Sequence, residues 1–360
     1  MAAEQLTHRE RVRLALAHQT TDRIPMAMVC AGFNPPPQKA LEELLQRTRG
    51  IGVAEYLRPL IDIQHIWPAY VGPARAPGQD YWGVVRAPVS YGAGSYSEIA
   101  HYPLGQVTSL DELSRYPWPT TDWFDYSVLP EIIARADADG GPHCMMALNC
   151  NIFESAWYMR GFEQAFADMA EGSELFDAIL QKVADFYLEH ARRTLQAAKG
   201  RIDLIFTADD IGGQAGMLMS LDMWRQHIMP HHTRINRVIH EYGAKVIYHT
   251  DGSVMPAVPG LLEMGIDILQ ALQFDAAGMD PVALKRDFGK RLCFEGGVSV
   301  QRTLPFGTPE EVREETRQRI AVLGKGGGYI LGPAHAIQTG TPPENVLAMF
   351  ETACSTPMTA

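Results

Sequence analysis

The 360-residue sequence predicts an α/β fold built as one (β/α)8 barrel, and three observations lead there. Short apolar strands alternate with helical stretches at least six times from residue 143 onward. Strands such as Val246-Ile247-Tyr248 and Tyr329-Ile330-Leu331 are apolar throughout, as in a parallel sheet covered on both faces. Polar residues stand directly after nearly every strand, where a barrel carries its chemistry. An open doubly wound sheet shares the alternation, but the unit count and the length favour the closed barrel.

The elements follow in order. "LTHRERVRLALAHQ" opens a helix with Thr7 and Glu10 in a capping-box pattern. Pro25 stands at the mouth of an apolar strand over residues 26–32. Residues 59–120 change character, with stretches such as "YWGVVRAPVSYGAGSYSEIAHYPLG" that predict hairpins and long loops, an insertion covering the barrel mouth. "HCMMALNCN" is a strand, followed by helical "ESAWYMRGFEQAFADMAE" and "SELFDAILQKVADFYLEHARRTLQAAK". "RIDLIFTADD" is a strand and "LDMWRQHIMPHHTRINRVIHEYG" a helix ending at Gly243. The strand at 246–248, a helix through Leu262, the strand "IDILQAL", a helix over about 280–288 and the strand "RLCFEGGV" come next. Thr308 starts a helix with Pro309 at its first position. The strand "GYILGPA" and a helix over about 342–353 close the chain.

A hydrophobic content of 46% with 20% charged residues supports a sizeable core rather than disorder. A net charge of −11 repels phosphate backbones and argues against nucleic acid as a partner. Five dispersed cysteines without a CxxC pair fit free thiols in a reducing compartment. "MAAEQLTHRERVRLALAHQ" lacks the apolar stretch of a signal peptide, and no run approaches the roughly 20 apolar residues that cross a bilayer. The expectation is a cytoplasmic protein without a membrane partner.

In a barrel the polar strand ends converge. After the successive strands stand Cys30 and Asn34; Asn149, Asn151 and Glu154; Asp209, Asp210 and Gln214; His249 and Asp251; Gln273; Glu295; and His335 with Gln338. Asn34, Asn149, Asn151, Gln214, Gln273 and Glu295 are candidate substrate contacts. His249 and Asp251 project to one side of their strand. Joined by His335, they form a plausible divalent-metal set, with Glu154 as an exchangeable fourth ligand. The same atoms suit acid–base work, with Asp251 orienting His249. Both residues also suit a plainer role, hydrogen-bonding the loop and ending the strand. Asp209 and Asp210 are catalytic candidates, since adjacent carboxylates need a cationic or hydrogen-bonding partner; they also suit the capping of the next turn. No GxGxxG, P-loop or GxSxG pattern supports nucleotide binding or a serine nucleophile. His231 and His232 read as surface residues of a helix.

Several stretches together, including "RERVRLALAHQTTDRIPM", "DDIGGQAGMLMS", "HTDGSVMPAVPGLLEMGIDILQALQ", "FEGGVSVQRTLPFGTPEEVREETRQRI" and "GGYILGPAHAIQTGTPPENVLAMFE", carry a resemblance that runs nearly end to end. The chain resembles the uroporphyrinogen decarboxylase superfamily, and more closely its methyltransferase branch. The resemblance implies one distorted (β/α)8 barrel domain over residues 1–360. Members include cofactor-free porphyrinogen decarboxylases and zinc-dependent methyltransferases that work with corrinoid proteins. The decarboxylases carry an "MRQAGRY"-like motif for propionates; here "MAMVCAGFNPPPQ" has no arginine, which speaks against that substrate. The thiol-activating methyltransferases bind zinc through His-x-Cys and a later Cys. The matching positions here are His249-Thr250-Asp251 and His335, a harder set that suits polarisation of a leaving oxygen better than thiol activation.

The resemblance thus implies a metal-assisted methyltransferase. A small methylated or methoxylated compound is its methyl donor, Zn2+ is held by His249, Asp251, His335 and Glu154, and a cobalamin on a separate corrinoid protein accepts the methyl group. Barrels of this superfamily are often dimers, so a homodimer is a further expectation. The alternative is a cofactor-independent decarboxylase or lyase using His249 and Asp251 as an acid–base pair. A non-catalytic binding protein on a barrel scaffold is the third reading.

Overall fold

The computed structural model describes residues 6–30, 32–90 and 95–358. Along the chain the strands are β1 (Ile63–Ile66), β2 (Ala69–Tyr70), β3 (Val85–Ser90), β4 (Ser95–His101), β5 (Phe124–Asp125), β6 (Cys144–Asn151), β7 (Leu204–Ala208), β8 (Lys245–His249), β9 (Ile268–Gln270), β10 (Cys293–Val298) and β11 (Tyr329–Pro333). Seven of them form one parallel sheet in the order β1-β6-β7-β8-β9-β10-β11. Met26 bridges in parallel to both edges, to Ile61 just before β1 and to Leu331 in β11. That segment is the eighth strand and curls the sheet into a barrel.

Strand alternation sorts the side chains into two cores. Ala27, Val29, Ile63, Cys144, Met146, Leu204, Phe206, Ile247, Ile268, Cys293 and Ile330 fill the interior. Val12 and Leu16, from the helix His8–Leu16, close its lower end. The alternate residues, such as Met145, Ile205, Tyr248, Leu269, Phe294 and Leu331, pack outward against the helices. Both sides being apolar is why these strands read as continuous hydrophobic runs.

The capping boxes predicted at Thr7 and Thr308 are both formed, and Pro309 opens its helix. Three expectations are corrected. The segment read as an insertion over 59–120 contains β1, a barrel strand of four residues, too short to show a period beside its aromatic neighbours. The hairpin β3–β4 and the small β2–β5 pair come after it. The strand expected over 26–32 is reduced to the single residue Met26, because Gly32 turns the chain in a left-handed conformation (φ 63°) toward Ile337. The helix expected over "LDMWRQHIMPHHTRINRVIHEYG" breaks at Ile228, where Pro230 supplies no N–H, into Leu221–His227 and Met229–Glu241. Among the described residues no helix is long and apolar enough to cross a membrane.

The first strand owes its position to a buried carboxylate that sequence patterning does not reveal. Asp62 is fully buried. It accepts from His8 Nδ1, Arg11 Nη1 and Arg23 Nη1, each at 2.7 Å, and from the backbone N–H of Met26 at 2.8 Å. Burial pushes its carboxyl up, but His8, Arg23 and Arg11 outweigh that and hold it below the ordinary carboxylate range.

Candidate functional site

Each interior column changes from apolar to polar on its way to the mouth. Two residues beyond Ile63, Ile247, Ile268 and Cys293 stand His65, His249, Gln270 and Glu295. The period of two therefore points all four inward, above the apolar plug. His65 Nε2 donates to the carbonyl of Leu148 at 2.6 Å, and burial pushes the imidazole down to about 4. Leu148 and Asn149 lie in an irregularity of the β6–β7 ladder, a bulge that re-aims the end of β6 toward the mouth. Glu295 is wholly buried, and burial pushes its carboxyl well up. Gly332 leaves room for it, since a Cβ there would meet Glu295 Oε1 at 2.7 Å.

His249 stands at the centre. Its Nδ1 is hydrogen-bonded to Gln270 Oε1. An amide oxygen only accepts, so Nδ1 carries the proton and Nε2 of the neutral ring keeps its lone pair for the mouth. Nε2 lies 3.6 Å from Asp210 Oδ1, which also accepts from the backbone N–H of Asp251 at 2.7 Å. His335 Nε2 lies 3.8 Å from Asp251 Oδ2, and the two imidazoles stand 5.8 Å apart between ring centres. Two overlapping donor groups result, Cys30 with His249 and His335, and Asp210 with His249 and Asp251. In each, the donor atoms all lie within 4.8 Å of one another. Thiolate, imidazole and carboxylate are the ordinary ligands of zinc, so these residues fit such an ion.

The electrostatics are those of crowded acids. Burial, then Asp210 and Asp209, raise Glu154 to about 7. Burial raises Asp251 as well, and Asp210 adds to this against the pull of His249. Burial alone would depress His249, but the carboxylates of Asp210 and Asp251 reverse the direction. His335 is lowered by burial, and Cys30 is pushed up by burial and by Asp251. Such a cluster is relieved by a cation.

The structure brings His249, Asp251, His335 and Asp210 together as expected, but several partners differ. Asp210, not Asp251, is the carboxylate that reaches His249 within ion-pair distance. Glu154 belongs to neither donor group; its carboxylate accepts from Tyr158 Oη at 2.8 Å and from Asn151 Nδ2. Asp209 is fully buried, bonded to His232 Nε2 at 2.6 Å and to the backbone N–H of Glu154 at 2.8 Å, so it supports the site from behind. His232, expected on the surface, is therefore in the core. Gln273 accepts from the N–H of Gly252 at 2.8 Å and holds the turn after Asp251. Asn34 donates to Gln338 Oε1 at 3.0 Å. The side chain of Gln214 is exposed on the loop after β7.

Beside the cluster lies a cleft of about 290 Å³ walled by Trp67, Tyr81, Phe124 and Tyr158, with Asn149 and Asn151 on its edge. Arg86 of β3 spans it, ion-paired to Asp80 at 2.9 Å and stacked 4.7 Å from the Tyr158 ring. A larger cavity of about 660 Å³ opens through the wall between Met28–Phe33 and β1, and reaches Val29 and His65. Cys30 as a donor and Gln270 as the support of His249 were both missed from sequence. Gln270 was legible in the step of two from Ile268; Cys30 was legible as a residue following the first apolar run, but its thiol was not counted among the donors.

The family model for uroporphyrinogen decarboxylase (URO-D) matches residues 88–355. A methylated-thiol–coenzyme M methyltransferase of Methanosarcina mazei is 28% identical over 207 residues, 57% of this chain and 52% of that protein. A uroporphyrinogen decarboxylase of Acidiphilium cryptum is 28% identical over 192 residues, 52% of this chain and 48% of that protein. The chain spans about half the length of the curated relatives it matches. Among solved structures, a methyltransferase from Methanosarcina mazei has the same fold, with a TM-score of 0.66 at 18% identity, over 97% of this chain and 98% of that one.

Proposed function

The chain belongs to the uroporphyrinogen decarboxylase family, and from that premise we propose that it is a metal-assisted methyltransferase acting on a small methylated or methoxylated compound. The observation that carries the reading is the donor cluster of His249, His335, Asp251 and Asp210 at the open end of the barrel. The arginine-free stretch "MAMVCAGFNPPPQ" supports methyl transfer over porphyrinogen decarboxylation, since nothing in it grips propionates. The chain forms a single barrel domain in this reading, and the segment after β1 roofs the mouth through the Arg86–Tyr158 stack.

His249 and His335, with a third donor from the same cluster, would hold zinc, which supplies Lewis acidity to a leaving oxygen or nitrogen. The aromatic cleft binds the methyl donor, and its covering segment keeps water out. Asn149 and Asn151 orient the donor's polar atoms. The leaving atom takes up a proton as the methyl group departs. Glu154, held near neutrality between Tyr158 and Asn151, is placed to give it. The methyl acceptor in this reading is a corrinoid cofactor on a separate protein.

Gln270→Ala would free the His249 ring to turn and to change tautomer. Zinc affinity should fall about 10- to 100-fold, as for other outer partners of metal-bound histidines, measured by competition with a chromophoric chelator.

One observation favours a second reading, proton-transfer chemistry by a decarboxylase or lyase without a metal: His249 faces Asp210 at 3.6 Å with Glu154 poised near 7. Elemental analysis separates the two. About one zinc per chain, with turnover of a methoxylated or methylated compound that stops in chelator, supports the methyltransferase. Full activity of a metal-free protein in chelator sinks it.

A further inference from the structure

Zinc binding at the mouth has a specific chemical consequence; it rests on the methyltransferase reading but can fail without it. The family's pattern places thiolates two residues after the histidine of β8 and again after β11, where this chain has Asp251 and His335. The barrel nevertheless presents a thiol to the same point from another part of the chain. Cys30 stands beyond the Met26 segment, on the side of the barrel where it closes. Its Sγ lies within 4.8 Å of the ring nitrogens of His249 and His335, which are likewise that close to each other. The His249 side chain is buried, and among the described residues the nearest carboxylate oxygen to its Nε2, on Asp210, stands at 3.6 Å, beyond hydrogen-bond distance. A ring nitrogen that opens on a cluster of donors is suited to a cation.

We propose that Cys30, His249 and His335 are the metal ligands, a one-sulfur, two-nitrogen set whose thiolate has moved to the segment that follows Met26. One thiolate with two imidazoles selects zinc over magnesium, calcium or manganese, which prefer all-oxygen surroundings. Binding displaces the thiol proton to solvent, because the thiolate is the ligand. Asp210 and Asp251 then stay off the metal, beside the two histidines at 3.6 and 3.8 Å, where their charge offsets the cation and faces the incoming substrate. The fourth position faces the mouth.

The test is zinc K-edge X-ray absorption on the full-length zinc-loaded protein and on Cys30→Ser, with Cys354→Ser as a control at an exposed site. The expected wild-type spectrum has one sulfur at about 2.3 Å beside nitrogen or oxygen at about 2.0–2.1 Å. The sulfur shell should vanish in Cys30→Ser, with zinc still bound at lower affinity, and persist in Cys354→Ser. Zinc bound with only nitrogen and oxygen overturns the Cys30 assignment and points to the Asp210–His249–Asp251 set, leaving the methyltransferase reading intact. No zinc bound at all overturns both. Should Cys30→Ser fail to fold, the wild-type spectrum decides alone.

Discussion

His249→Ala is expected to strip zinc from the protein and to lower turnover about a thousandfold. The ring belongs to both donor groups found among the described residues, so its loss takes a ligand from each. Lewis-acid assistance contributes several kcal/mol to a transition state, and about 1.4 kcal/mol is a factor of ten, which sets the size of the loss. Zinc content by elemental analysis and initial rates on a methoxylated donor, measured on the same preparation, check both halves. The thermal midpoint should lie close to that of the zinc-free wild type, because among the described residues the ring's hydrogen bond goes to Gln270 and its nearest carboxylate is partly exposed. Loss of turnover with zinc fully retained would remove His249 from the metal and return it to acid–base work. Loss of both with a collapsed midpoint would make the residue structural.

Asp62→Ala should cost about 3–5 kcal/mol of unfolding free energy, the usual consequence of removing one partner of a buried ionic cluster. The substitution leaves Arg11 and Arg23 without their shared carboxylate, and frees the N–H of Met26. Urea titration with an intrinsic tryptophan signal reads the change. The pH dependence has a definite sign. The folded carboxyl titrates below its unfolded value of about 3.9, so the contribution is complete above that pH and drains away as pH falls through the folded value. Asp62→Asn should therefore lose less stability than wild type on going from neutral to strongly acid solution. An unchanged unfolding midpoint would show that the cluster is decorative.

Much of the architecture was readable because a strand covered on both faces reads as an apolar run, and six such runs, β6 to β11, survive beside β1 in one parallel sheet. The convergence of His249, Asp251 and His335 was readable too, because a barrel gathers residues that lie far apart in sequence but equally far along their strands. What escaped the sequence has particular causes. β1 is four residues long, below the length at which a period is visible. Asp209 and Asp210 are neighbours, and successive residues of a strand face opposite ways; the pattern alone does not say which one looks into the mouth. The structure turns Asp210 there and gives Asp209 to His232. The pair His231-His232 has the same ambiguity on a helix, and only packing decides that the second goes inward. A barrel's chemistry is sought in the loops just past its strands, which favours Gln273 over Gln270, the last residue inside β9.

The Met26 segment is fastened at two places. Below, Ala27 bonds to Leu331 and Met26 to Asp62; above, Ile337 bonds to Gly32 and Asn34 to Ile337. Residues 28–30 make no backbone ladder bond among the described residues. Cys30 thus stands outside the ladder, and the cavity in the wall borders Met28 and Val29 just before it. His249 ends β8 and is laddered to Ala208 and Gln270, whereas His335 and Cys30 stand outside any ladder among the described residues. In the proposed site one donor is fixed by the sheet, and the other two take up the remaining mismatch of bond length. It can thereby accommodate the change of coordination that a substrate's arrival and departure impose, without disturbing the barrel that carries it.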